Sequence, residues 1–441
     1  MRAVLVSTYE MGRQPFGLAS PAAWLRRAGF EVRTADLSRT QLAADTLQDA
    51  ALVGLFLPMH TATRLALRLL PALRDAAAHA RFCAFGLYAP LHRGQLLSAG
   101  VDAVFGPEFE QELTDFALGR SNPPVPGEVP RLRFILPDRS GLPALPRYAR
   151  LELPDGGSRV TGYTEASRGC KHLCRHCPIV PVYQGQFRVV PEAVVLADIR
   201  QQVAQGAEHI TFGDPDFLNG PTHALRIVRA LHREFPALSY DATIKVEHLL
   251  RHAALLPELR ATGCVLVTTA VESLDDAVLQ CLRKQHSRAD FDRVLELTRG
   301  LGLALNPTWV AFTPWTTRAS YPAWLRTIAD CELVDQVAPV QYGIRLLIPA
   351  GSLLLELPDA PAWLGEYDAE RLSYRWRHPD PAMDTLAEEV QALVARASKA
   401  RRSRAEIFAE IYALAHPNGA RLPTPAPARA TVPYLNEPWF C

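Results

Sequence analysis

The chain has almost no net charge, no long apolar run and few cysteines, and each shortage excludes something. Lys and Arg total 47 against 46 Asp and Glu, a formal charge of +1, so there is no electrostatic footprint for nucleic acid. No apolar stretch reaches the roughly eighteen residues needed to span a bilayer. Met1-Arg-Ala-Val-Leu-Val-Ser7 runs straight into polar Thr8-Tyr-Glu10, which is not the pattern of a signal peptide. Eight cysteines in 441 residues do not suggest a disulfide framework. These absences lead us to expect a soluble, cytoplasmic protein with neither a membrane nor a nucleic acid as partner. What is present is core-forming material. Hydrophobic residues make up 48% of the chain, and the length suits two or three domains.

Three of the cysteines carry a pattern. Cys170, Cys174 and Cys177 lie in Ser167-Arg-Gly-Cys-Lys-His-Leu-Cys-Arg-His-Cys-Pro178, with C-x3-C-x2-C spacing. Three thiolates on one short loop can ligate three irons of a [4Fe–4S] cluster and leave the fourth iron open to a substrate or cofactor. The alternative is zinc, with His172 or His176 as fourth ligand. Structural zinc sites normally draw two ligand pairs from separate knuckles, and no such second pair follows downstream.

Residues 1–120 alternate strand and helix. Ala3–Val6, Glu31–Ala35, Ala51–Leu57, Arg81–Phe85 and Ala103–Phe105 read as strands, and Ala51–Leu57 as a buried parallel one by its unbroken apolarity. Helices are expected over Pro21–Ala28, near Leu42 and over Thr61–Ala77. This predicts a doubly wound, Rossmann-like sheet with a crevice at the carboxyl ends of its strands. Residues 121–150 open with Ser121-Asn-Pro-Pro-Val-Pro-Gly-Glu-Val-Pro130, too proline-rich for a regular element, and read as a linker.

Alternation resumes over residues 151–350. Six strands are expected: Arg159–Ser167, His209–Phe212, Leu238–Val246, Cys264–Glu272, Ala304–Thr313 and Val340–Ile348. Helical segments separate them, giving a partial (β/α)6 TIM-type barrel with its chemistry at the carboxyl ends of the strands. Residues 351–441 carry helical periodicity from Met383 to Ala413, and a basic patch, Lys399-Ala-Arg-Arg-Ser-Arg404, that reads as solvated surface. They finish in the aromatic segment Val432-Pro-Tyr-Leu-Asn-Glu-Pro-Trp-Phe-Cys441. Such a segment is expected to dock on the barrel, because disordered tails rarely concentrate aromatics.

The cysteine spacing and the barrel together resemble radical S-adenosylmethionine (SAM) enzymes, a likeness covering about 190 residues. The resemblance implies that the open iron chelates the amino and carboxylate groups of SAM. It also implies reductive cleavage of a C–S bond, fed by an external donor such as flavodoxin or ferredoxin, and modification of a small molecule. In the same terms, Gly213, Asp214, Pro215 and Asp216 follow the second strand where the family holds the SAM ammonium. Glu272 ends the fourth strand, where a polar group meets the SAM amino acid or ribose, with Thr268 and Ser273 nearby. His176 takes the place of the aromatic residue that packs near the adenine. Lys245 and Arg345 are cations inside apolar strands, and each should meet a carboxylate, in the protein or on SAM.

The N-terminal domain resembles the cobalamin-binding-like domain that precedes many radical SAM barrels, so the resemblance admits cobalamin. The Asp-x-His-x-x-Gly of that domain is absent from Ser7-Thr-Tyr-Glu-Met-Gly-Arg-Gln-Pro15, and Pro107 replaces an expected glycine, so cobalamin is not favoured. His60 reads as a structural histidine. The tail is similar to that of radical SAM proteins ending in Cys-Cys-Ala-Glu-Pro or a selenocysteine-containing motif, and to the arsinothricin-synthesis enzyme type. This implies 3-amino-3-carboxypropyl transfer to trivalent arsenic, with Cys441 as the thiol that delivers the acceptor. A cobalamin-dependent methyltransferase, or 5′-deoxyadenosyl radical chemistry on another natural product, is the alternative.

Overall fold

The computed structural model describes residues 1–43, 45–120, 129–400, 402–416 and 432–437. The N-terminal sheet contains β1 (Arg2–Ser7), β2 (Glu31–Asp36), β3 (Ala50–Phe56), β4 (Arg81–Phe85) and β5 (Ala103–Val104), in the order β2-β1-β3-β4-β5. All its pairings are parallel. Ala3, Val4, Leu5, Leu52 and Val53 are fully buried, because helices cover both faces of the sheet. The order reverses between β1 and β3, which puts the crevice of this doubly wound sheet at their carboxyl ends.

Among the described residues no helix forms near Leu42, contrary to expectation. Asp36 Oδ1 instead accepts from the backbone N–H and the hydroxyl of Ser38, and Thr40 donates to the Asp36 carbonyl. Such local side-chain bonds compete with helix formation. The first helix also starts earlier than expected, at Phe16, and runs to Arg27.

A second sheet curls into the open barrel. It is built from β6 (Arg150–Glu152), β7 (Ser158–Thr164), β10 (His209–Phe212), β11 (Ser239–Thr243), β12 (Cys264–Glu272), β13 (Ala304–Trp309) and β16 (Tyr434–Leu435). The order is β13-β12-β11-β10-β7-β6-β16. Five of these strands run parallel, from β7 through β10, β11 and β12 to β13. Short β8 (Ser167–Gly169) and β9 (Phe187–Val189) pair separately beside the cysteine loop.

The expected sixth strand is a second correction. Pro339–Gly343 is a 3-10 turn, and only a bridge between Phe312 and Arg345 continues the parallel pattern. Pro339 cannot donate to a ladder, and Gln341 is diverted to accept from Trp309 N–H.

The C-terminal region departs further. β14 (Leu364–Asp368) and β15 (Ser373–Trp376) form a hairpin that sequence periodicity did not suggest. Its loop reaches the N-terminal domain, where Gln95 donates to the Ala369 carbonyl at 2.7 Å and His92 Nδ1 lies 3.0 Å from Tyr367 Oη. The long helical stretch is two helices, Pro381–Lys399 and Arg404–Ala415, the second started by a Ser403–Glu406 capping box. Within the basic patch Arg404 is half-buried rather than solvated: it donates to the Asp335 carbonyl and stacks 4.3 Å from the Tyr434 ring. That contact helps seat the tail, whose Tyr434 and Leu435 add an antiparallel strand to β6.

Candidate active site at the barrel mouth

The cysteine loop leaves β8 through Gly169, at φ +76°. A Cβ there would fall 2.4 Å from the Gln186 carbonyl oxygen and 2.5 Å from the Tyr183 ring. Only glycine fits that turn, and it swings Cys170 toward the mouth of the barrel. The loop is then pinned on two sides. Arg175 N–H donates to the Leu282 carbonyl and its guanidinium to the carbonyl of Cys281, while Lys171 Nζ donates to the Asn219 carbonyl.

Cys170, Cys174 and Cys177 are free thiols. Cys170 and Cys174 are buried. Burial pushes the Cys177 thiol up to about 12, and the neighbouring Cys174 and Cys170 sulfurs push it in the same direction. A thiol this reluctant to ionise loses its proton to a metal rather than to water.

Two buried ammonium groups flank them. Lys245 Nζ lies 3.9 Å from Cys174 Sγ. Lys284 feels the Cys174 and Cys177 sulfurs and lies 3.2 Å from Glu272 Oε1. Burial works against the Glu272 carboxylate, but Lys284 and His176 outweigh it and hold the group at about 2.

Three sulfurs on one loop, with cations placed against their charge, fit a cluster of net negative charge. The zinc alternative is poorly served, because Nε2 of His172 faces His248 and Nε2 of His176 faces Glu272.

The other expected site residues divide. Gly213 is required by a close approach, since a Cβ would lie 1.9 Å from Tyr163 Oη. Asp214 points beneath the cysteine loop, accepting from Ala166 N–H at 2.9 Å and Ser167 Oγ at 2.5 Å. Burial raises its pKa to about 7 against those bonds. Pro215 turns the chain so that Asp216 faces His172 and His248 instead.

Glu272 ends β12, as expected, at φ +69°, and its Oε1 lies 3.2 Å from His176 Nε2. Thr268 lies one step down the barrel wall and accepts from Asn306 at 3.2 Å. Arg345 is not brought to the cysteines. It pairs with Asp384 at 2.7 Å and stacks on Trp376 at 4.0 Å, so its carboxylate is the protein's own. Cys441 lies outside the described residues.

Sequence reasoning missed Lys284, Glu247 and His248. Lys284 sits between Arg283 and Gln285, both at positive φ, and that tight turn aims it inward. No sequence signal marked it. A cavity of about 370 Å³ opens beside Glu272 and Ser273, lined also by Asp275, Ala311, Tyr321 and Trp324.

Comparisons with known proteins agree with this geometry. The Radical SAM superfamily matches residues 164–312. Hopanoid C-3 methylase of Methylococcus capsulatus is 26% identical over 151 residues, 34% of this chain and 29% of that protein. The ribosomal protein uS12 methylthiotransferase RimO of Geobacter sulfurreducens is 31% identical over 264 residues, 53% of this chain and 55% of that protein. The chain thus spans about half, or less, of these curated relatives.

Among solved structures, the methyltransferase TsrM of Kitasatospora setae superposes with TM-score 0.64 at 17% identity, covering 80% of this chain and 75% of that one. The cobalamin-dependent enzyme OxsB superposes with TM-score 0.68 at 13% identity, covering 90% of this chain and 67% of that one. Likeness at that identity establishes the fold, an N-terminal Rossmann-like sheet joined to a partial barrel. Between residues 164 and 312, where the three cysteines and the turn after β10 lie, the chain carries a radical SAM domain.

Proposed function

We propose that the protein is a radical SAM enzyme that transfers a group from SAM to a small-molecule acceptor. In this reading Cys170, Cys174 and Cys177 hold a [4Fe–4S] cluster with one open iron. The observation that carries it is three free thiols on one loop at the barrel mouth, two of them buried, beside the ammonium groups of Lys245 and Lys284.

When bound, the cluster supplies the electron that breaks a C–S bond of SAM, received in turn from an external donor. The chain's own groups hold and orient. Lys245 and Lys284 offset thiolate charge. Glu272 stays ionised beside His176 at the edge of the cavity, where a ribose or an amino group could be met.

Cobalamin, which the structural neighbours TsrM and OxsB use, fits this chain poorly. At the carboxyl ends of β3 and β4, to one side of the crevice, Phe56, Phe85 and Phe109 pack together with ring centroids 4.7–6.3 Å apart. Phe56 lies directly against Gly17. His60 Nε2 is engaged by the Arg371 carbonyl at 2.5 Å. Glu108 and Glu110, from the loop after β5, are committed to Arg168. We therefore read the N-terminal sheet as a scaffold.

The narrower reading, 3-amino-3-carboxypropyl transfer to trivalent arsenic, rests on the tail resemblance. Tyr434–Leu435 pairing with β6 supports a docked tail. Incubation with SAM and a strong reductant tests both levels. 5′-Methylthioadenosine would accompany aminocarboxypropyl transfer, and 5′-deoxyadenosine the adenosyl radical route. A protein that cleaves no SAM would end the reading.

A further inference from the structure

We infer that His172, Asp216 and His248 form a second metal site, separate from the cysteines, for one borderline divalent cation of the zinc type. The three come from different elements: the cysteine loop, the turn after β10, and the helix Val246–Arg251. All are nine-tenths or more shielded as side chains, with relative exposures of 9%, 0% and 6%. Their ligand atoms all lie within 4.8 Å of one another. His172 Nε2 is 3.2 Å from His248 Nε2 and 3.7 Å from Asp216 Oδ2. Ligands about 2.0–2.1 Å from a tetrahedral zinc stand roughly 3.4 Å apart, close to both separations made by His172 Nε2, and a small shift of the His248 ring away from Asp216 would open the third.

The second observation is a cluster of unmet polar atoms. Asp216 Oδ2, His248 Nδ1 and Glu247 Oε2 are buried without a hydrogen-bond partner. His248 Nδ1 approaches Asp216 Oδ2 to 2.6 Å but out of line for a hydrogen bond. A single orphaned buried polar atom costs about 1–3 kcal/mol, and Asp216 Oδ2 and His248 Nδ1, two such atoms on one spot, point to an absent cation.

The charges agree. Glu247 is balanced by Lys245, 3.7 Å from its Oε2, and by the Arg251 guanidinium. Asp216 instead meets only the imidazoles of His172 and His248 as ion-pair partners among the described residues, so its charge is left for a cation. Glu247 Oε2 also sits 3.5 Å behind His172 Nδ1, where a carboxylate fixes the tautomer of a metal-bound imidazole. Imidazole with one carboxylate selects zinc-like ions over magnesium or calcium. Three protein ligands leave a coordination position for an exogenous donor, as in catalytic rather than structural sites.

The test uses anaerobically reconstituted protein exposed to zinc chloride, desalted, and analysed for iron and zinc. Wild type should keep about one zinc per chain without losing iron, and its zinc K-edge spectrum should contain nitrogen and oxygen scatterers only. His248→Gln should bind zinc at least tenfold more weakly with its iron content unchanged. If that variant does not fold, the wild-type spectrum decides. Failure to retain zinc, equal affinity in His248→Gln, or sulfur in the zinc shell would each overturn the site. Because iron is counted separately, loss of the cluster reading and loss of this site are distinct outcomes.

Discussion

Arg168 Nη2 donates to Glu110 Oε1 at 2.7 Å across the boundary between the two sheets, tying the strand that leads into the cysteine loop to the loop after β5. The same guanidinium reaches Glu165 at 2.7 Å and Glu108 at 3.4 Å, and Arg168, Glu108 and Glu110 are buried. The thiols are thus positioned partly by the N-terminal domain.

Removing that cation should be severe. Arg168→Met leaves Glu108 and Glu110 buried without a counter-charge, a loss of about 3–5 kcal/mol. Urea denaturation should show a lower midpoint, and reconstitution should give substoichiometric iron. A wild-type midpoint would show that the two carboxylates can escape to water.

Glu108 gives a pH signature. Burial raises its carboxyl to about 7, against the pull of Arg168. A carboxyl with a raised folded pKa binds more protons folded than unfolded, so its contribution to stability is full at low pH. That contribution is lost as pH climbs from the ordinary carboxylate range through about 7. Glu108→Gln should therefore flatten the fall in stability between pH 5 and pH 8 that wild type shows in thermal melts at roughly unit pH steps. Parallel curves for the two proteins would contradict this.

The cysteine loop should be separable from the fold. Reconstituted wild type should carry about four irons and four sulfides. Cys174→Ala should lose both, together with SAM cleavage, while its far-ultraviolet circular dichroism is unchanged, because each sheet has its own core. Retained iron with activity would refute the ligand assignment.

Purification with added hydroxocobalamin should give well under one cobalt per chain, since the loop after β1 lacks the Asp-x-His-x-x-Gly and His60 Nε2 is engaged by the Arg371 carbonyl. Stoichiometric cobalt with a methylated product would move methyl transfer to first place.

The tail is held by charge as well as by its strand. Arg13 Nε donates to Glu437 Oε1 at 2.9 Å, and Glu437 is buried while Arg13 is half-buried. Glu437→Ala should cost about 1–3 kcal/mol and speed proteolysis of the C-terminus. Unchanged proteolysis would leave the Tyr434–Leu435 strand as sufficient anchor.

Much of this architecture was legible in the chain itself. Unbroken apolarity marked β1 and β3, because strands buried on both faces have no polar side to show. The spacing of Cys170, Cys174 and Cys177 announced its chemistry because the ligands of one loop are local in sequence. What depended on distant partners was not legible. Lys284 reaches the mouth from the turn after the helix Asp276–Cys281, and Glu247 and His248 from the helix Val246–Arg251. Arg345 found Asp384 rather than the site, and the sixth strand yielded to Pro339 and to the diversion of Gln341. The sequence by itself determined the parallel strands of both sheets from β1 to β5 and from β7 through β13, and where three thiols sit together. Only the tertiary structure decided which charges meet them, because a buried cation takes whichever carboxylate the packing brings within reach, and sequence separation carries no information about that distance.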